Sequence, residues 1–98
     1  MILQQGDVLI ETVNKIPERA KPRKDRVLAE GEATGHFHRA GEGATVLEDG
    51  DDLFLLVKKE CQVTHEEHGT ITVPPGEFRV RRVREYDHWK ERADIVKD

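Results

Sequence analysis

Four of the five histidines in this chain fall in two short stretches. "GHFHRAGE" places His36 and His38 two residues apart, and "THEEHG" places His65 and His68 three apart. Imidazole nitrogen is a ligand for Zn, Fe, Ni, Cu and Mn. Residues i and i+2 of a strand project to one face, so a strand through His36 and His38 aims both rings into one space and turns Phe37 away. A spacing of three puts His65 and His68 on opposite faces of a straight strand. Both reach one ion only if the chain turns at "EEHG", which the adjacent Gly69 favours. Glu32, Glu42, Glu66 and Glu67 lie close by in sequence as carboxylates for ligation or proton transfer. The expected cofactor is therefore a divalent transition metal (Zn, Fe, Ni or Mn) on His36, His38, His65 and His68. Glu42, Glu66 and Glu67 are the candidate catalytic bases. In an enzyme such an ion acts as a Lewis acid or oxygen-activating centre on a small molecule. The opposing reading is structural, because an H-x-H pair near turns is far less specific than a paired C-x-x-C.

A second group is cationic. "EFRVRRVREY" carries Arg79, Arg81, Arg82 and Arg84, a candidate anion-binding stripe for phosphate-bearing ligands or a single-stranded nucleic acid. Tyr86 and Trp89 are candidates for stacking. Against it stand 20 acidic residues to 16 basic, a net charge of -4 and an aromatic content of 5%. The favoured expectation is arginines paired with carboxylates, and nucleic acid is not an expected partner. The single cysteine, Cys61, excludes an intramolecular disulfide and suits a reducing compartment. It lies in an alternating apolar run and reads as a small buried hydrophobe. "GEGATV" lacks the Lys-Ser/Thr of a phosphate-binding loop, and "EDGDD" reads as a hairpin turn, not a calcium loop.

The elements that must position these groups are strands. Turn residues recur at short intervals, and the runs between them alternate with period two. "DVLIETV", "RVLAEGE", "TGHFHRA", "ATVLED", "DLFLLVKKE", "CQVTHEE", "GTITV" and "EFRVRRVREY" are the expected strands. Leu53, Leu55 and Val57 share one face of the fifth, with Phe54 and Leu56 on the other. Cys61, Val63 and His65 share a face of the sixth. "PPG" suits a type II turn with positive φ at Gly76. Val83 is out of phase with Phe78 and Val80, which suggests a bulge at Arg81–Arg82. Residues 14–25 read as a loop, and residues 88–98 as a tail that is either a short helix or a frayed end, with Trp89 as its anchor if it docks.

With 98 residues, 36% of them apolar, the chain suits one small all-β domain, a barrel or roll of about seven or eight short antiparallel strands. Its core is expected to be thin, so a metal or a homo-oligomer would add support. "MILQQGDVLI" shows no signal-peptide pattern, and no apolar run has bilayer length. The expectation is a cytoplasmic protein with no membrane partner.

"GHFHRAGE" resembles the first motif of the cupin superfamily, and "GTITVPPGEF" resembles the Gly…Pro-x-Gly part of the second. Cupins are small β-barrels that hold a divalent metal through histidines and a glutamate. The resemblance, over residues 31–80, implies His36, His38 and Glu42 as ligands. It departs where Glu77-Phe78-Arg79 stand in place of the histidine after the Pro-x-Gly turn. The order "LAEGE…TGH.H", "HEEH", "PPG" and "REY" also resembles short bacterial and phage proteins, a likeness that brings no activity with it. The alternative function is accordingly a non-catalytic, oligomeric accessory protein, phage-associated, with structural histidines and an interface at Trp89 or at Phe54 and Leu56.

Overall fold

The computed structural model describes residues 1–30 and 35–83, together with the backbone of 95–97. These residues are all-β. The strands are β1 (Ile2–Gln5), β2 (Val8–Thr12), β3 (Lys21–Pro22), β4 (Val27–Glu30), β5 (Phe37–Ala40) and β6 (Ala44–Asp49). They continue with β7 (Asp52–Val57), β8 (Cys61–Thr64), β9 (Ile71–Val73), β10 (Gly76–Arg82) and β11 (Ile95–Lys97). The larger sheet has the order β11-β1-β2-β10-β7-β6-β3, and the smaller has the order β4-β5-β8-β9. All pairings are antiparallel except β1 with β11. Among the described residues no helix is long and apolar enough to cross a membrane.

Each of the eight expected strands is present, and three strands come in addition. β1 hides its alternation behind two glutamines. β3 is a two-residue pairing with β6 inside the expected loop. β11 occupies the tail that was expected to be a short helix or a frayed end, running parallel to β1. Residues 84–94, which hold the rest of that tail, lie outside the described residues, as do Arg84, Tyr86, His88 and Trp89.

One core joins the two sheets. Leu3, Val8, Ile10, Val46, Leu55, Val57, Phe78 and Val80 of the larger sheet meet Leu28, Ala40, Cys61, Val63, Ile71 and Val73 of the smaller. Period-two alternation produces this directly, since every second residue of each strand faces the other sheet. Burial pushes the Cys61 thiol pKa up, partly offset by a hydrogen bond with the Gly41 backbone, so the side chain behaves as packing.

The other face of the larger sheet is covered as well. Phe54 is buried with Ile16 and Ala20, and Val13, Leu47 and Leu56 pack around them. The 14–20 segment therefore closes over Phe54 and Leu56, and these residues do not form the open oligomer surface that their outward phase suggested. The phase of Val83 has a similar cause. β10 and β2 stay in step from Phe78↔Thr12 to Arg82↔Val8, so no bulge exists there. Val83 instead packs on Ile2 and Leu9, on the outer face. The register irregularity lies in β4, between Val27 and Ala29.

The turns follow their residues. Gly50 takes φ 60° in the two-residue β6–β7 turn, as the first central position of a type II′ hairpin requires. "PPG" is different: Gly76 has φ 155° and is already the first residue of β10, paired with Val57. Pro74-Pro75 carries the chain from the smaller sheet to the larger, so a type II reversal is not needed there.

Candidate functional site

The sheets leave one end of the core polar. β5 and β8 are antiparallel neighbours with Arg39↔Thr64 in register, so the residues on either side of that pair, His38 and His65, share one end of the smaller sheet. After β8 the chain turns through 65–68 and returns as β9. The turn is clasped to β5: both Glu66 carboxylate oxygens accept the Phe37 amide, at 2.8 and 3.1 Å. That bond is the main cause of a Glu66 pKa below the usual carboxylate value.

The clasp brings all four sequence-predicted histidines together. Ring centroids lie 4.3 Å apart for His38–His65, 4.8 Å for His65–His68, 6.0 Å for His38–His68 and 5.7 Å for His36–His65. His65 is the hub. The "HEEH" segment folds back toward His38, as the turn at Gly69 allowed. His36 precedes β5 and does not share its pleat, so it stands on the outer flank with Nδ1 3.6 Å from Glu67 Oε1. Glu42 does not join them. It lies in the turn between β5 and β6, past the end of β5 that is away from His36, so the strand carries it off from the cluster.

The protonation pattern follows from one residue that no motif in the sequence marks. Gln5 is fully buried beneath the cluster. Its Nε2 donates to Val63 O and to Gly69 O, each at 2.9 Å. Its Oε1 must then be the acceptor for His38, 2.8 Å from Nδ1. His38 therefore carries hydrogen on Nδ1 and a lone pair on Nε2. Burial, followed by the neighbouring His65 ring, lowers the His38 pKa to about 4. His65 Nδ1 accepts the Glu67 amide at 3.0 Å, which places the hydrogen of neutral His65 on Nε2. That enclosed Nε2 has no hydrogen-bond partner among the described residues.

The β1–β2 turn supplies the opposite wall. Gly6 has φ +57°, and a Cβ placed on it would meet His68 Nε2 at 2.5 Å. Gly6→Ala is expected to cost about 1–2 kcal/mol through its left-handed backbone alone, and to push His68 out of the cluster. Urea unfolding would read the first effect, and a shifted His68 ring signal in NMR the second. Asp7 follows, with Oδ1 3.6 Å from His38 Nε2.

The arginines of β10 do not form a stripe. Arg79 and Arg81 leave the strand on its outer face, with Asp52 at 3.4 Å and Glu11 at 3.8 Å respectively. Arg82 has the inward parity of Phe78 and Val80, beyond the apolar core, and its Nη1 lies 2.6 Å from Asp7 Oδ2. Its other nitrogen donates to Glu30 O. Alternation splits the group between two faces, and each of these three side chains has a carboxylate partner.

As they stand, no three of the described His, Cys, Asp and Glu side chains converge as a metal-holding group. The donor types are those that hold such ions, but the three rings lie tilted or stacked, at 34°, 17° and 48° to one another, and would have to turn to converge. Rings bound to one tetrahedral ion through nitrogen at about 2.0–2.1 Å have centroids about 5 Å apart. The His38, His65 and His68 separations of 4.3, 4.8 and 6.0 Å bracket that distance. The His38 Nδ1–H···Oε1 Gln5 bond fixes the ring as the carbonyl or carboxylate partners of metal-binding imidazoles do.

The family model described as Domain of unknown function (DUF8820) matches residues 4–83 of the chain. The matched span runs from β1 past the end of β10. No curated protein and no solved structure matches.

Proposed function

Because the chain belongs to the DUF8820 family, whose description carries no activity, we propose from the site alone that it binds a divalent transition metal at the His38–His65–His68 cluster. The observation that carries this reading is the Gln5-fixed tautomer of His38, which leaves an Nε2 lone pair available beside two further imidazoles. His38 is the preset ligand. His68 is exposed and His65 half-buried, and both rings must turn to reach a shared ion. For His65 the turn means giving up the Glu67 amide, at a cost of about 1 kcal/mol. His36 and Glu67 flank the outer side. An all-nitrogen and oxygen surrounding suits Zn, Fe, Ni or Mn better than Cu(I). Bound there, the ion would supply Lewis acidity to a small ligand arriving from the exposed His68 side.

Elemental analysis and calorimetric titration of untagged protein test the proposal. Wild type is expected to bind one equivalent of Zn(II) or Ni(II). With the ion at 100 times its Kd, stability should rise by about 2.7 kcal/mol, which for a domain this small raises Tm by about 10–20 °C. His38→Ala with His68→Ala should abolish both effects. An unchanged Tm in saturating metal would instead leave the accessory-protein reading, in which the histidines serve only the fold.

A further inference from the structure

We infer that Asp7, in the β1–β2 turn, is the carboxylate ligand of this centre and that Arg82 is the residue that aims it; the inference rests on the metal reading above. Two atoms that share an ion at about 2.0–2.2 Å lie about 3–3.6 Å apart. Asp7 Oδ1 lies 3.6 Å from His38 Nε2. The tautomer set by Gln5 makes both atoms acceptors, so they gain nothing from facing each other. A cation between them satisfies both.

The carboxylate is also held. Arg82 Nη1 bonds Oδ2 at 2.6 Å and leaves Oδ1 turned toward the histidines. Arg82 is itself fixed by its bond to Glu30 O, and the Asp7 carbonyl accepts the Val83 amide at 2.8 Å. A ligating carboxylate whose second oxygen is hydrogen-bonded is a common outer-sphere arrangement. The ligand set then draws on both sheets: imidazoles from the β5 and β8–β9 side, and an oxygen donor from the β1–β2 turn. This differs from the set that the cupin resemblance implies, where Glu42 supplies the oxygen from the same strand as the histidines.

Cobalt(II) is the probe, because its visible absorption reports both affinity and donor set. Wild type, Asp7→Asn, Arg82→Gln and His38→Ala are titrated with Co(II), and each is melted without metal. Wild type is expected to bind one Co(II). Asp7→Asn should bind at least tenfold more weakly with a shifted spectrum. Arg82→Gln should weaken binding less and keep the wild-type band shape. His38→Ala should not bind. The metal-free Tm of the Asp7 and Arg82 variants should stay within a few degrees of wild type, since their ion pair is solvent-exposed. Wild-type affinity and spectrum in Asp7→Asn overturn the inference and leave the histidine centre intact. Failure of wild type to bind Co(II) overturns both.

Discussion

Gln5→Leu is expected to lower stability by about 3 kcal/mol. The substitution keeps the volume and removes every polar atom of a side chain that is 0% exposed. Three groups then lose their partners: Val63 O, Gly69 O and His38 Nδ1–H. Leaving a buried donor or acceptor unpaired costs about 1–3 kcal/mol each. Burying the leucine returns about 1.5–3 kcal/mol. Two of the three orphaned groups hold the chain on either side of "HEEH", so the histidine turn should loosen before the sheets do. Urea unfolding gives the total. Faster amide exchange in 65–69 than in β7 gives the location. An unchanged urea midpoint would mean that the three Gln5 hydrogen bonds do not hold the turn in place.

Acid should unfold the protein through His38. Its pKa is about 4 in the folded state, against an ordinary value of 6.5. The unfolded chain therefore binds the proton more readily, and stability rises with pH across that interval. The contribution is fully present above about pH 6.5 and is lost as the pH falls toward 4. A gap of this size corresponds to about 3 kcal/mol. Carboxylates ordinarily titrate near pH 4, so the decline between pH 6.5 and 5 is assigned to His38. Thermal melts at half-unit steps should show a steady fall in Tm over that range, and His38→Phe should flatten it. A Tm constant from pH 7 to 5 would contradict the buried neutral ring.

The fold was legible where alternation had room to show. The five apolar residues of β7 separate cleanly into Leu53, Leu55 and Val57 on the core side and Phe54 and Leu56 on the other. That outer face looked free because nothing in "NKIPERAKPRKD" announces that Ile16 and Ala20 fold over it. Val83 misled for a related reason: a residue out of phase with one core reads as a bulge when a second, outer cluster is the actual cause. His36 and His38 were marked by spacing, yet only His38 lies in a strand. Gln5 was the missed residue, although a signal was present. It has the parity of Leu3 and pairs with the inward Val8, so a polar side chain was due inside the fold. Asp7 was hidden as an ordinary Gly-Asp turn, because its role depends on where β10 delivers Arg82.

The Gln5–Gly69 bond joins residues 64 apart in a chain of 98. Closing so long a loop is entropically slow, and such contacts form after local hairpins such as β6–β7 are in place. The histidine cluster is thus expected to assemble late in folding. A ligand captured there acts on the escape rate from the native state and leaves the rate of reaching it almost untouched. Its benefit to the protein would be measured in lifetime.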